Sequence, residues 1–130
     1  MKVLILIADG FDDVQLFCPW YRLLEEGRTV TVATPAGQAV TGQHGYRVKA
    51  DTPIREVNPA EYDLLFIPGG QSPERLRLRE EAVDIARTFM DEDRPVAAVG
   101  HSTPDGALPG PFQSLRLKVA RAGTARCESG

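Results

Sequence analysis

The chain has 130 residues, 42% of them hydrophobic, 25% charged and 7% aromatic, with a formal net charge of −3. That length supplies one domain around one core, since domains most often run to about 100–150 residues, and the composition is neither that of a disordered chain nor that of a fibre. The acidic balance, with no basic stripe interleaved with aromatics in residues 1–99, excludes a nucleic-acid partner, and no apolar run is long enough to span a bilayer, which excludes a membrane.

Residues 2–8 (KVLILIA) form a continuous apolar, branched run, as in a strand covered by helices on both faces of a parallel sheet. The run ends in Asp9 and Gly10 rather than at a small-residue cleavage site, so it reads as a buried strand and not as a signal peptide. From Val14 to Glu26 the apolar residues Val14, Phe17, Cys18, Tyr21 and Leu24 recur three or four apart, and Gly27 stands where a glycine ends a helix. This predicts the first crossover helix with those residues facing inward, Trp20 and Tyr21 packed, and Cys18 as a small core residue. The only other cysteine, Cys127, lies far away in sequence. Two such cysteines are too few for a disulfide framework or a metal site, and a reduced, cytoplasmic setting is expected.

Residues 29–34 (TVTVAT) predict a second strand, and the glycine-punctuated stretch 37–52 alternates like a small antiparallel flap. His44 falls in that flap, and one histidine makes no metal site. LLFIP (64–68) repeats the strand pattern and runs into Gly69 and Gly70, after which residues 72–90 predict a helix with Pro73 near its start. PVAAV (95–99) predicts the last strand. Strand, helix, strand, twice over, is an α/β, doubly wound, flavodoxin-like order with helices on both faces of a mostly parallel sheet, whose functional crevice lies at the carboxyl ends of the strands. Asp12, Gly69, Gly70, Gly100 and His101 all fall at or just beyond such ends.

After residue 100 the character changes: residues 100–130 carry four basic and two acidic side chains, +2, against −5 for the first 99. The stretch is rich in glycine and proline, then basic, and lacks the helix and final strand that the sheet calls for. The expected organisation is an incomplete α/β domain over 1–101 followed by a divergent tail over 102–130, truncated on its C-terminal side.

Three segments carry a resemblance: ADGFDDVQLFCPWYRLLEEG, GQHGYRVKADTPIREVNPAEYDLLFIPGGQSPERLR and RPVAAVGH. Together they resemble the PfpI family of intracellular cysteine hydrolases, within the class I glutamine amidotransferase-like superfamily. The likeness covers roughly residues 1–101 and then stops, as a one-base frameshift or a gene truncation would make it. The resemblance implies a peptidase or deglycase acting on peptides or glycated amines, a homo-oligomer, and no cofactor. It also implies a cysteine on a tight strand-to-helix turn, directly before a histidine, where backbone N–H groups stabilise an oxyanion and lower the thiol's pKa.

At that turn this chain has Gly100, then His101. Glycine tolerates a strained turn, but a thiolate is the attacking species in cysteine catalysis, and Ser102 does not replace it without re-aiming the base. The resemblance puts Asp12 at the position of a glutamate whose carboxyl approaches the cysteine; the shorter side chain weakens that bond, and Asp12 with Asp13 also reads as an acidic helix N-terminus. It puts Glu74 where the protease-like branch orients the histidine across a subunit contact, although Glu74 also reads as a first-turn helix acid. Gly69 and Gly70 match the loop of the oxyanion site, and also read as a tight turn. Without a cysteine, His101 is expected to be a satisfied or solvated side chain.

Two other doubly wound readings fail on the residues. A phosphorelay receiver needs an aspartate where this chain has Pro68, Gly69 and Gly70, and a nucleotide-binding loop would not place ADGFDD where phosphates sit. A cysteine hydrolase deprived of its nucleophile, and a non-enzymatic binding or oligomerisation module that keeps the old pocket, remain.

Overall fold

The computed structural model describes residues 2–98. Five parallel strands form its sheet: β1 (Lys2–Leu6), β2 (Thr29–Thr34), β5 (Thr52–Pro53), β6 (Leu64–Ile67) and β7 (Val96–Ala98), in the order β5-β2-β1-β6-β7. β1 lies at the centre, Leu4 opposite Thr31 on one side and Leu65 on the other. A separate antiparallel pair, β3 (Val40–Thr41) and β4 (Arg47–Val48), is the expected flap. Thr52, expected at the flap's end, instead pairs with Ala33 in the main sheet, and Pro53 beside it pairs with Thr34.

Because strand side chains alternate, β1 feeds two cores. Leu4, Leu6 and Ala8 point into one with Leu65, Ile67 and the inward face of α3 (Glu80–Asp91), namely Ala82, Ile85, Ala86 and Phe89. Val3, Ile5 and Ile7 point into the other with Phe11, Leu16, Val32, Phe66 and the flap's Val40 and Val48, under α1 (Asp13–Glu25). Helices thus cover both faces, as expected of a doubly wound sheet.

Two expectations are corrected. The first concerns which side of α1 faces in: Val14, Tyr21 and Leu24 are exposed, at 64%, 59% and 49%, and Cys18 is only half-buried. Leu16 is buried instead, with Phe17, Trp20 and Leu23 packed beside it. The helix is apolar nearly all round, so its rotation is set by tertiary bonds of its first turn, where Asp13 is buried under the flap and Gln15 reaches the β6 loop. The second concerns the helix expected over 72–90, which is broken into α2 (Ser72–Leu76) and α3. Leu76 and Ala82 are both fully buried. Six residues apart, they would point some 120° away from each other on one continuous helix. The turn between them, closed by Arg79 N–H to Leu76 O at 2.9 Å, lets both face the core.

Arg94 closes the α3–β7 connection: it donates from Nη1 to Pro59 O at 2.8 Å and to Tyr62 O at 2.5 Å, and its guanidinium lies 4.2 Å from the Phe89 ring centroid. None of the described helices is long and apolar enough to cross a membrane.

Candidate functional site

At the carboxyl ends of β1 and β6 three loops meet: residues 9–12, the turn 69–71, and the flap. The N-terminus of α1 is built by Asp12, whose Oδ1 accepts the Gln15 N–H at 3.1 Å. Asp12 also donates its own N–H to Gly69 O at 3.0 Å. Its carboxylate is therefore a helix cap, satisfying one of the orphan donors of the first turn and complementing the helix dipole. Gln15, one turn on, accepts the Gly69 N–H on Oε1 at 3.0 Å. Both backbone polar groups of Gly69 are thus held by the first turn of α1.

Gly70 follows with φ of 88°, a left-handed conformation that favours glycine, and bridges Phe11. Space demands glycine as well: a Cβ would stand 2.6 Å from Gly10 O and 2.8 Å from Asp12 N. Gln71 donates to Gly10 O at 2.8 Å, completing the seam. Ser72, fully buried at the start of α2, accepts the Ala8 N–H on Oγ at 2.8 Å and so satisfies a donor just past β1.

Glu74 lies in α2, where it pairs with Arg77 at 2.8 Å; both side chains are about two-fifths exposed. It does not join Asp12 and the glycines at the seam through any described contact. His44 stands at the turn of the flap, exposed, and among the described residues no group of three His, Cys, Asp or Glu could hold a metal ion. Gly100 and His101 lie outside the described residues, as does Cys127.

The structure brings together Asp12, Gly69 and Gly70, adds Gln15 and Gln43, which the sequence reading passed over, and gives Asp13, expected as an acid of the helix's first turn, a second role beneath the flap. A signal for Gln15 existed. Asp12-x-x-Gln15 is the spacing of a capping box, which marks residue 15 as part of the helix's N-terminal hydrogen bonding. Here its amide turns to Gly69 rather than back to residue 12. Nothing local marked Gln43 or the bonds of Asp13 to the flap, because both depend on the flap folding back over residues 9–13.

A doubly wound parallel sheet with a glycine turn at the end of a central strand, clamped to the helix that follows β1, defines an α/β protein of the class in which ligands bind at the carboxyl ends of the strands. The chain belongs to the DJ-1/PfpI family, which it matches over residues 1–107. It is 52% identical over 101 residues to a deglycase of Pyrococcus abyssi, and 50% identical over 101 residues to Deglycase PfpI of Pyrococcus furiosus. In each case the match covers 78% of this chain and 61% of the relative, so the chain spans about three-fifths of the length of these relatives. Among solved structures it is similar to a two-domain protein of Anabaena variabilis containing DJ-1/ThiJ/PfpI-like and ferritin-like domains. That likeness has a TM-score of 0.74 and 30% identity, over 78% of this chain and 31% of that one.

Proposed function

We propose that this chain is a PfpI-type domain that keeps the scaffold of a cysteine-hydrolase site and lacks its nucleophile. The observation that carries the reading is Gly100: it directly precedes His101, two residues after β7 ends at Ala98, and it lies inside the span matched by the family. Covalent cysteine catalysis needs a thiolate to attack the substrate carbonyl and a neighbouring base to manage its proton. A glycine supplies neither electrons nor a proton at that point, and His101 has nothing to activate. What supports descent from a working site is the glycine turn itself, left-handed at Gly70 and with no room for a side chain there, and the deglycase names of relatives at about half identity. The ancestral reaction on this reading is hydrolysis of a peptide or a glycated amine.

The test is turnover of a glycated amine and of a fluorogenic peptide by the purified chain, beside its His101→Ala variant. Neither protein is expected to act above the buffer rate. Turnover by the chain that His101→Ala abolishes would show that chemistry survives without a thiol at residue 100, and the reading would fall.

A second reading, an oligomerisation module, has its own observation. Val14, Tyr21 and Leu24 of α1 and Tyr46 of the flap, 49–64% exposed, lie on a surface where Trp20 and Tyr21 stack on Phe17 at 6.0 and 5.9 Å and Tyr46 meets Phe17 edge-on at 5.5 Å. Exposed apolar clusters of this kind mark association surfaces.

A further inference from the structure

The flap is strapped to the β1–α1 loop at several points. Gly10 donates to Thr41 O at 2.8 Å, Thr41 donates to Asp9 Oδ1 at 3.0 Å, and Gln43 donates to Phe11 O at 2.9 Å. At the centre is Asp13, 3% exposed, whose Oδ1 accepts the His44 N–H at 3.0 Å and whose Oδ2 accepts the Tyr46 N–H at 3.2 Å. Gly42 lies flat against that carboxylate, where a Cβ would come within 2.3 Å of Oδ1. A buried carboxylate is costly unless donors surround it, and among the described residues these two amides are the donors that Asp13 meets. A hairpin with strands of two residues is marginal in water by itself, so this anchor sets its shape.

What the anchor delivers is Gln43. Its amide nitrogen stands 3.1 Å from the point that a Cβ on Gly70 would occupy. Gln15 holds Gly69 N–H from the first turn of α1, and Gln71 packs on Gly10, its Oε1 3.0 Å from a Cβ placed there. Three uncharged amides, from the flap, from the first turn of α1 and from the turn's own last residue, therefore lie around Gly10 and the glycine pair. An amide both donates and accepts, so such a rim suits a polar, uncharged group such as an amide or a hydroxyl.

We propose that Asp13 is a positioning residue of the candidate site, whose carboxylate fixes the flap so that the Gln43 amide is presented to an uncharged polar group of a ligand at the Gly69–Gly70 turn. The inference rests on the reading that this turn is the floor of the site, and it concerns a residue that chemistry at position 100 does not involve.

The test uses the 15N-labelled full chain, read at the backbone amides and at the Gln43 side-chain amide. In Asp13→Ser, exchange at His44 and Tyr46 is expected to rise at least tenfold while Val3–Leu6 keep their protection. The Gly70 amide should move toward the position it takes in Gln43→Ala, and the double variant should move it no further, because coupled residues are non-additive. A Gly70 amide that stays in place while the flap exchanges faster would overturn the proposal, leaving Asp13 a mere hairpin anchor. Gly42→Ala, which drives the flap off an intact carboxylate, carries the same expectation should Asp13→Ser fail to fold. If Gln43→Ala itself leaves Gly70 unmoved, the contact does not exist and the proposal fails. None of these readings depends on turnover, so failure here leaves the proposed function standing, and activity in the turnover assay leaves this inference standing.

Discussion

Replacing Gly70 by alanine tests the seam on which the candidate site is built. The substitution has two costs. With φ at 88°, an L-residue pays for the left-handed conformation, about 1–2 kcal/mol. The added Cβ must also escape Gly10 O at 2.6 Å and Asp12 N at 2.8 Å, both backbone atoms that no rotamer change can move. Relief means drawing the loops apart, at the expense of the Asp12-to-Gly69 and Gln71-to-Gly10 hydrogen bonds, each about 0.5–1.5 kcal/mol. The expected loss is about 2–5 kcal/mol. Gly27 supplies the control: its φ is 76° and no atom lies within 4 Å of a Cβ built there, so Gly27→Ala carries only the conformational cost, about 1–2 kcal/mol. Urea unfolding of both variants reads the difference. With a slope of about 1–3 kcal/mol per molar urea, the Gly70→Ala midpoint should fall below that of Gly27→Ala by roughly 1 M at unchanged slope. Equal midpoints would mean that the two loops separate freely, and the description of the turn as a clamped seam would be wrong.

Asp12→Ala removes the cap of α1 and should lower stability by about 0.5–2 kcal/mol in the same unfolding assay, with Asp12→Asn recovering most of the loss; an unchanged midpoint would argue against the cap. If the exposed face of α1 joins copies of the chain, Tyr21→Glu should shift sedimentation equilibrium toward the monomer, whereas a wild-type chain that is already monomeric at tens of micromolar would remove the oligomerisation reading.

The strands β1, β6 and β7 were legible as short apolar runs and β2 as an alternation of threonine with small apolar residues, and their ends fall within two residues of where those patterns lie. The start of α1 was legible too, from Asp12. Its rotation was not: Val14, Tyr21 and Leu24 make as good an apolar stripe as Leu16, Trp20 and Leu23, and only the bonds of Asp13 to the flap and of Gln15 to Gly69 choose between them. The break after Leu76 carries neither glycine nor proline; it follows from the need to bury Leu76 and Ala82 together, which local propensity does not encode. At the site, Gly69 and Gly70 announced themselves as a pair. Gln43 did not, since a glutamine in a polar turn has no local signature and acquires its place only when the flap is folded.

The pairing of Thr34 with Pro53 has a further consequence for how molecules of this kind keep apart. An open sheet margin is a template on which a foreign strand can add, because its unpaired N–H and C=O groups are already aligned. Among the described residues that margin beyond β2 is β5, two residues long, and one of the two has no N–H to offer. A neighbouring chain approaching from this side finds a ladder too short and missing a rung, so sheet-to-sheet polymerisation is discouraged there by a single imino acid.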